Sequence, residues 1–153
     1  MPNPDWGRAP EPGDLPGEVV EPMVRVLEEF TTTPERCWFC LWEGFGGLDL
    51  IPGFDELARV RGPGRQYLLF RGGIHVMVAW KDDPEHAWPQ NPQLWWPHDH
   101  AWCVATDIDL DSTYVGGSNE CIARLLAEPS LEVVPAQTDD RVDLGADGVN
   151  LNQ

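Results

Sequence analysis

Apolar positions recur at two different spacings along this chain, and each spacing predicts a different element. From Pro16 to Thr31 they recur every three or four residues, which predicts an amphipathic helix that kinks at Pro22 or begins just before it. From Ala101 to Leu110 larger apolar residues alternate with small or acidic ones, which predicts a strand with one buried side. A second, short helix is expected after Ser118, because its hydroxyl suits an N-cap.

Shorter apolar runs between turn-forming residues predict the remaining strands. Cys37–Trp42 leads into a glycine-rich turn. The runs Gln66–Phe70 and Ile74–Trp80 flank Arg71-Gly72-Gly73, which is the composition of a β-hairpin. Leu131–Val134 is predicted as the last strand.

The order of these elements predicts an α+β fold in a single domain over residues 16–135. We expect a mainly antiparallel sheet with an N-terminal and a C-terminal helix packed on one face. Residues 48–64 and 81–92 are predicted as loops. Residues 1–15 are predicted as a Pro-rich flexible arm that adds little to the core, and residues 136–153 as an acidic, disordered tail.

The charge balance limits the classes of partner. The chain carries 26 acidic and 10 basic residues, a formal net charge of −16. Nucleic acid is not expected as a partner, because binding to it rests on Lys and Arg neutralising phosphates. The same charge favours a basic protein partner, although an acidic surface can also serve only to keep a protein in solution.

The distribution of apolar residues bears on location. The N-terminal residues lack the basic start and apolar core of a secretory signal, and no apolar run approaches the ~18 residues of a membrane span. We therefore expect a cytoplasmic protein without membrane contact. In that compartment the four cysteines are expected to be thiols or metal ligands instead of disulfides.

Cysteine and histidine spacings provide one candidate metal site. Cys37 and Cys40 have the C-x-x-C spacing, and His98, His100 and Cys103 could supply the other half of a tetrahedral zinc site. Against zinc, positions three apart on a strand point to opposite faces, and free cysteines are most often buried core residues. We therefore expect no cofactor, with zinc as the alternative that the spacing supports.

Other reactive motifs are incomplete. Asp107-x-Asp109-x-Asp111 opens like a calcium loop, but Ser112 and Ser118 stand where that loop needs Gly and Glu. The chain has no G-x-S-x-G elbow, no Walker loop and no H-E-x-x-H pattern. No catalytic residue is assigned.

Seven of the eight tryptophans divide into two groups by their surroundings. Those on strand patterns are predicted as core: Trp38, Trp42, Trp80 and Trp102. Those in Pro-rich loops either cover one end of the core or form a recognition surface: Trp88, Trp95 and Trp96.

Three segments carry a resemblance to known sequences: CWFCLWEGFG, WWPHDHAWCVATDID and TYVGGS, followed by a helix and LEVVP. Over about residues 15–135 they resemble an uncharacterised family of bacterial proteins with no assigned activity. More distantly, the element order and the Trp42–Gly47 segment resemble the SUKH superfamily, which includes bacterial toxin-immunity proteins and a fungal cell-wall regulator. This resemblance implies an α+β domain that binds a protein and has no enzymatic activity.

The leading hypothesis is a non-enzymatic, acidic protein-binding domain that neutralises or recruits a basic protein. Aromatic anchors would provide its affinity, and carboxylates its orientation and association rate. The predicted binding surface comprises Trp42, Glu43, Trp95, Trp96, Asp99, Asp107 and Asp109. The alternative is a zinc-binding protein, or a zinc-dependent hydrolase with Asp99 or Glu43 as its base.

Overall fold

The structure, a computed structural model, describes residues 12–62, 64–80 and 90–140. Over these ranges it contains the helices α1 (Gly17–Glu28), α2 (Val76–Ala79) and α3 (Asn119–Leu126). The strands in the same ranges are β1 (Cys37–Trp42), β2 (Arg59–Gly62), β3 (Arg65–Gly72), β4 (Leu94–Pro97), β5 (Trp102–Thr106) and β6 (Thr113–Gly117). Short 3₁₀ turns occur at Leu48–Leu50 and Phe54–Glu56.

These strands form one six-stranded sheet in the order β2-β3-β1-β4-β5-β6, and each neighbouring pair is antiparallel. The central strand β1 pairs with β3 on one side and β4 on the other. The predicted α+β fold with a mainly antiparallel sheet and a helix near each end is confirmed.

The core lies between one face of this sheet and the helices. Phe39, Trp95 and Val104 project from neighbouring strands on that face and are fully buried. Trp102 joins the two layers directly, because its indole Nε1–H donates to the carbonyl of Leu27 in α1 at 2.9 Å. All these side chains belong to one cluster that also includes buried residues of α1, α2 and α3.

Both longer helices form for the reasons that the sequence indicates. Helix α1 buries one face and continues through Pro22, which lies in its second turn. The missing N–H of Pro22 therefore leaves only a carbonyl near the helix start without an intrahelical partner. Helix α3 begins after Ser118, whose Oγ accepts a hydrogen bond from the Cys121 amide at 3.1 Å.

Several predicted strands and loops are wrong. The expected hairpin partner Ile74–Trp80 is a turn followed by α2; Ile74 and Met77 are buried three positions apart, and Val78 is exposed. Strand β3 pairs instead with β2, which lies inside the segment predicted as a loop. The predicted strand Leu131–Val134 is irregular and mostly exposed.

The segment around Trp102 also differs from its prediction. Its strand ends at Thr106, and Asp107–Leu110 forms a turn in which the Asp109 amide donates to Asp107 Oδ1 at 2.9 Å. The chain then returns as β6, a strand that was not predicted. In the same region, Trp95 and Trp96, which were predicted in a loop, belong to β4, and Trp88 lies outside the described residues.

The predicted arm and tail lie partly outside the described residues, namely over residues 1–11 and 141–153. The end of the arm contributes to the core, contrary to expectation, because Leu15 is buried and the Gly13 amide donates to the Leu110 carbonyl at 2.7 Å. Residues 136–140 are exposed. None of the helices in the described ranges has the length and apolar character needed to cross a membrane.

Candidate functional site

The face of the sheet opposite the helices, hereafter the open face, carries side chains that alternate with those of the core. In the described ranges α1, α2 and α3 all contribute to the core on the other side. The open face contains a groove of about 790 Å³ whose lining extends from β3 to the edge strand β6. This groove is the main candidate for a functional site among the described residues.

Two tryptophans form the aromatic part of the groove. Trp38 of β1 and Trp96 of β4 are direct cross-strand neighbours, and both are half-buried. The groove is also lined by Leu69, Cys103 and Gly116, which come from β3, β5 and β6. All five strands other than β2, with one cross-strand pair of large rings, therefore create an apolar surface that none of the described helices covers.

The turn between β4 and β5 forms one end of the groove. His98 and His100 line it, and the ring centroids of His98 and Trp38 lie 6.4 Å apart. His100 has a φ of 58°, a left-handed conformation that glycine adopts most easily. The turn thus presents two imidazoles beside the tryptophans at some cost in backbone energy.

Asp99 holds this turn in place. Its Oδ1 accepts hydrogen bonds from the Thr31 hydroxyl at 2.9 Å and from the Ala101 amide at 3.1 Å. Its Oδ2 accepts hydrogen bonds from the amide and the hydroxyl of Thr32 at 2.7 and 3.0 Å. With all these contacts made inside the protein, Asp99 positions the groove turn.

The same contacts set the charge state of Asp99. Burial raises the pKa of this carboxyl, but the hydrogen bonds from Thr32, Thr31 and Ala101 together bring the pKa below its ordinary value. Asp99 is therefore ionised at neutral pH.

A second cluster lies elsewhere on the open face and involves several predicted surface residues. Arg65 Nη2 lies 2.6 Å from Asp109 Oδ2 and 3.5 Å from Asp107 Oδ1. The guanidinium of Arg65 also lies 5.5 Å from the centre of the Trp42 ring. The structure thus brings Trp42, Asp107 and Asp109 together, but around an arginine of this same chain.

Glu43 is likewise paired inside the protein. Its Oε2 accepts from Arg59 Nε at 3.0 Å. Arg59 in turn donates to the carbonyls of Phe54 and Leu57, so this ion pair fixes the loop before β2.

Trp95 is not a surface residue, and this part of the predicted binding surface is wrong. Its side chain is 0% exposed and packs against Phe39 and Trp102, with ring centroids 6.3 and 5.4 Å away. Its indole Nε1 is buried without a hydrogen-bond partner in the described structure. Trp95 and Trp96 therefore have opposite roles, because neighbouring residues on a strand face opposite sides of the sheet.

The predicted zinc ligands are not assembled among the described residues, where no group of three or more His, Cys, Asp or Glu side chains is placed to hold a metal ion. Cys37 faces the helices, whereas Cys40 faces the open side and is also fully buried. Burial raises the pKa of each thiol to about 11, with additional increases from Asp99 and Glu35 at Cys37 and from Cys103 at Cys40.

Cys103 lines the groove, and desolvation raises the pKa of its thiol as well. Protonated thiols are weak nucleophiles at neutral pH. The groove is therefore better suited to binding than to thiol chemistry.

Sequence reasoning missed three parts of the groove: Trp38, which was assigned to the core, and the contributions of Leu69 and Gly116. The alternation of Trp38 with the buried Cys37 and Phe39 was an available signal. The contribution of Gly116 was not visible, because β6 was not predicted.

The chain matches no protein-family model, no curated protein and no solved structure. Its function has to be inferred from the open face itself.

Proposed function

We propose that this protein is a non-enzymatic, acidic protein-binding domain that recruits or neutralises a basic protein through the groove on its open face. The observation that carries this proposal is the half-buried Trp38–Trp96 pair on a sheet face that the described helices leave uncovered. Tryptophan is among the residues that most often dominate binding energy at protein interfaces. A groove of this kind holds apolar or cationic side chains against aromatic rings.

The charge of the chain supports a basic partner over an acidic one. The excess of 26 acidic over 10 basic residues attracts positive charge over distances of several ångströms and raises the rate of encounter. The internal contact of Arg65 with Trp42, Asp107 and Asp109 supports a basic partner, because aromatic and acidic groups of this face already hold one guanidinium.

An immunity-protein-like role, in which the partner is a toxin, is one form of this proposal and stays a prediction. A cytoplasmic location accompanies it, because all four cysteines are free thiols, as is usual in a reducing compartment.

The proposal can be tested by selecting binders from a displayed library of random peptides of about 16 residues. Selection on the wild-type protein is expected to enrich Arg and Lys together with aromatic or aliphatic residues. Synthetic copies of the selected peptides should bind the Trp38→Ala/Trp96→Ala double variant at least about tenfold more weakly in fluorescence anisotropy.

Trp42→Ala is the matched control, because it removes an indole of similar exposure from the same face but outside the groove. This variant is expected to bind the selected peptides as the wild type does. Circular dichroism verifies that each variant is folded. Selection without enrichment of basic residues, or equal affinity for wild type and double variant, would contradict the proposal.

A further inference from the structure

The two edges of the sheet have different chemistry. The β2 edge reads Arg59-Val60-Arg61-Gly62 and is followed in the sequence by Pro63. Charged residues and proline discourage the addition of another strand. The β6 edge reads Thr-Tyr-Val-Gly-Gly and contains neither a charge nor a proline.

Alternate residues of β6 direct their backbone N–H and C=O groups away from the sheet. The amide of Thr106 donates to the carbonyl of Gln93 at 2.8 Å, so the backbone polar groups of Thr106 point toward β4. By alternation along β5, those of Cys103 and Ala105 point toward β6, where their register partners are Gly116 and Tyr114.

The backbone N–H and C=O groups that remain on β6 point away from the sheet, and they belong to Thr113, Val115 and Gly117. No backbone hydrogen bond from other described residues reaches them. This arrangement is a template for one more antiparallel or parallel strand.

We infer that β6 accepts an extended, basic segment of the partner protein as an additional strand, whose open-face side chains extend into the groove. This inference rests on the proposed binding function and states how the partner is held.

The groove begins at this edge. Gly116 and Gly117 line it, and a methyl group added at Gly116 would meet no atom within 4 Å. Side chains of a strand beside β6 would therefore find open space next to the groove. In such a mode the backbone hydrogen bonds provide affinity and the groove provides side-chain selectivity.

Charge selects the occupant of the edge. Two exposed carboxylates, Asp111 and Glu120, flank the uncharged strand at its two ends. They favour a segment in which basic residues alternate with apolar ones. A second copy of this chain is disfavoured, because it would bring together two molecules that each carry a net charge of −16.

The test uses an acetylated octapeptide of alternating arginine and valine and three variants of the full chain. Val115→Pro removes one outward N–H, a change that an edge strand can accommodate because that N–H makes no bond within the sheet. Val115→Ala is its matched control, because it also shortens the side chain but keeps the N–H. Trp96→Ala reports separately on the groove.

Fluorescence anisotropy is expected to show octapeptide binding that weakens at least about tenfold in Val115→Pro and changes less than about twofold in Val115→Ala. Hydrogen exchange on the wild type gives a measurement that does not depend on a variant. The amides of Thr113, Val115 and Gly117 should exchange quickly in the free protein and be protected in the presence of the octapeptide.

The outcomes separate the two proposals. Binding that is lost in Trp96→Ala but unchanged in Val115→Pro, with no protection of the β6 amides, overturns strand addition and leaves the groove proposal standing. Binding that depends on Val115 and is indifferent to Trp96 supports strand addition and contradicts the groove. Absence of octapeptide binding, or a dimer of the free protein in sedimentation that Val115→Pro abolishes, overturns the assignment of the edge to a basic segment.

Discussion

At the residue scale, Asp99 connects two loops that are far apart in the sequence. Its carboxylate binds Thr31 and Thr32 after α1 and also the amide of Ala101 before β5. A carboxylate in a segment rich in Trp and His resembles a binding residue in the sequence, but its partners here are internal. The residues that it positions, His98 and His100, are the ones that face the groove.

Asp99→Asn should lower the free energy of unfolding by about 1–2 kcal/mol at neutral pH, because a charged acceptor of several hydrogen bonds is lost. The pKa of Asp99 is lower in the folded protein than the ordinary value of an aspartate. Its contribution is therefore fully present above that value and is lost as the pH falls through the folded pKa.

Urea unfolding at neutral pH and at progressively lower pH measures this difference. The wild type and Asp99→Asn should converge in stability under acidic conditions. The exposed carboxylate of Asp49 provides the control, since Asp49→Asn should leave stability nearly unchanged. A difference between wild type and Asp99→Asn that stays constant down to strongly acidic pH would disagree with this explanation.

Two adjacent tryptophans offer a second prediction at this scale. Trp95→Ala should cost about 3–5 kcal/mol, because it empties a fully buried site. Trp96→Ala should cost about 1–2 kcal/mol, because its ring is only half-buried and its other side is exposed to the groove. Urea unfolding of the two variants checks the order, and equal losses would place both rings in the same environment, contrary to the strand assignment.

At the scale of elements, the sequence was informative where one face of an element is buried over several residues. Helix α1, strand β1 and helix α3 have such faces, and all three were predicted. Strands β2, β4 and β6 have only four or five residues each and contain arginine, proline or glycine. Their pairing depends on distant neighbours, and local pattern does not encode it.

Gln93 illustrates a contact of this distant kind. It lies between the predicted loop 81–92 and β4, and only 2% of the residue is exposed. Its side-chain Oε1 accepts from the Trp42 amide at 2.7 Å, and its Nε2 donates to the Asn91 carbonyl at 2.6 Å. One amide side chain thus completes the backbone pairing where β1 and β4 diverge.

Gln93→Leu should lower the free energy of unfolding by about 1–3 kcal/mol, because it leaves the Trp42 amide without an acceptor. Hydrogen exchange should show faster exchange of that amide than in the wild type. Gln90→Leu is the control, since only the backbone carbonyl of Gln90 bonds to the Trp80 indole. An unchanged exchange rate at Trp42 in Gln93→Leu would refute this role.

At the scale of the whole molecule, charge and shape favour the same partner. The helices cover one face of the sheet, and the groove lies on the other. The net charge of −16 gives the chain as a whole a preference for cationic partners. The charge could be read from the sequence alone. The position of the groove could not, because it depends on Trp38 and Trp96 facing the side of the sheet opposite to the core residues beside them.

The affinity of the Arg–Val octapeptide should fall as sodium chloride is raised, because salt screens contacts with exposed carboxylates such as Asp111 and Glu120. A Glu–Val octapeptide of the same pattern should bind much more weakly at every salt concentration. Anisotropy titrations with both peptides measure the effect. Equal binding of the two peptides would mean that charge does not select the partner.

The central claim is that the open-face groove is where the basic partner binds, and the indole N–H signals of the eight tryptophans test it most directly. These signals can be recorded by nuclear magnetic resonance on ¹⁵N-labelled protein, assigned by Trp→Phe substitutions and followed while the Arg–Val octapeptide is added. We predict that the signals of Trp38 and Trp96 shift, whereas that of the core residue Trp95, which does not line the groove, stays in place. Shifts confined to tryptophans outside the groove, or no shifts up to about millimolar peptide, would contradict the claim.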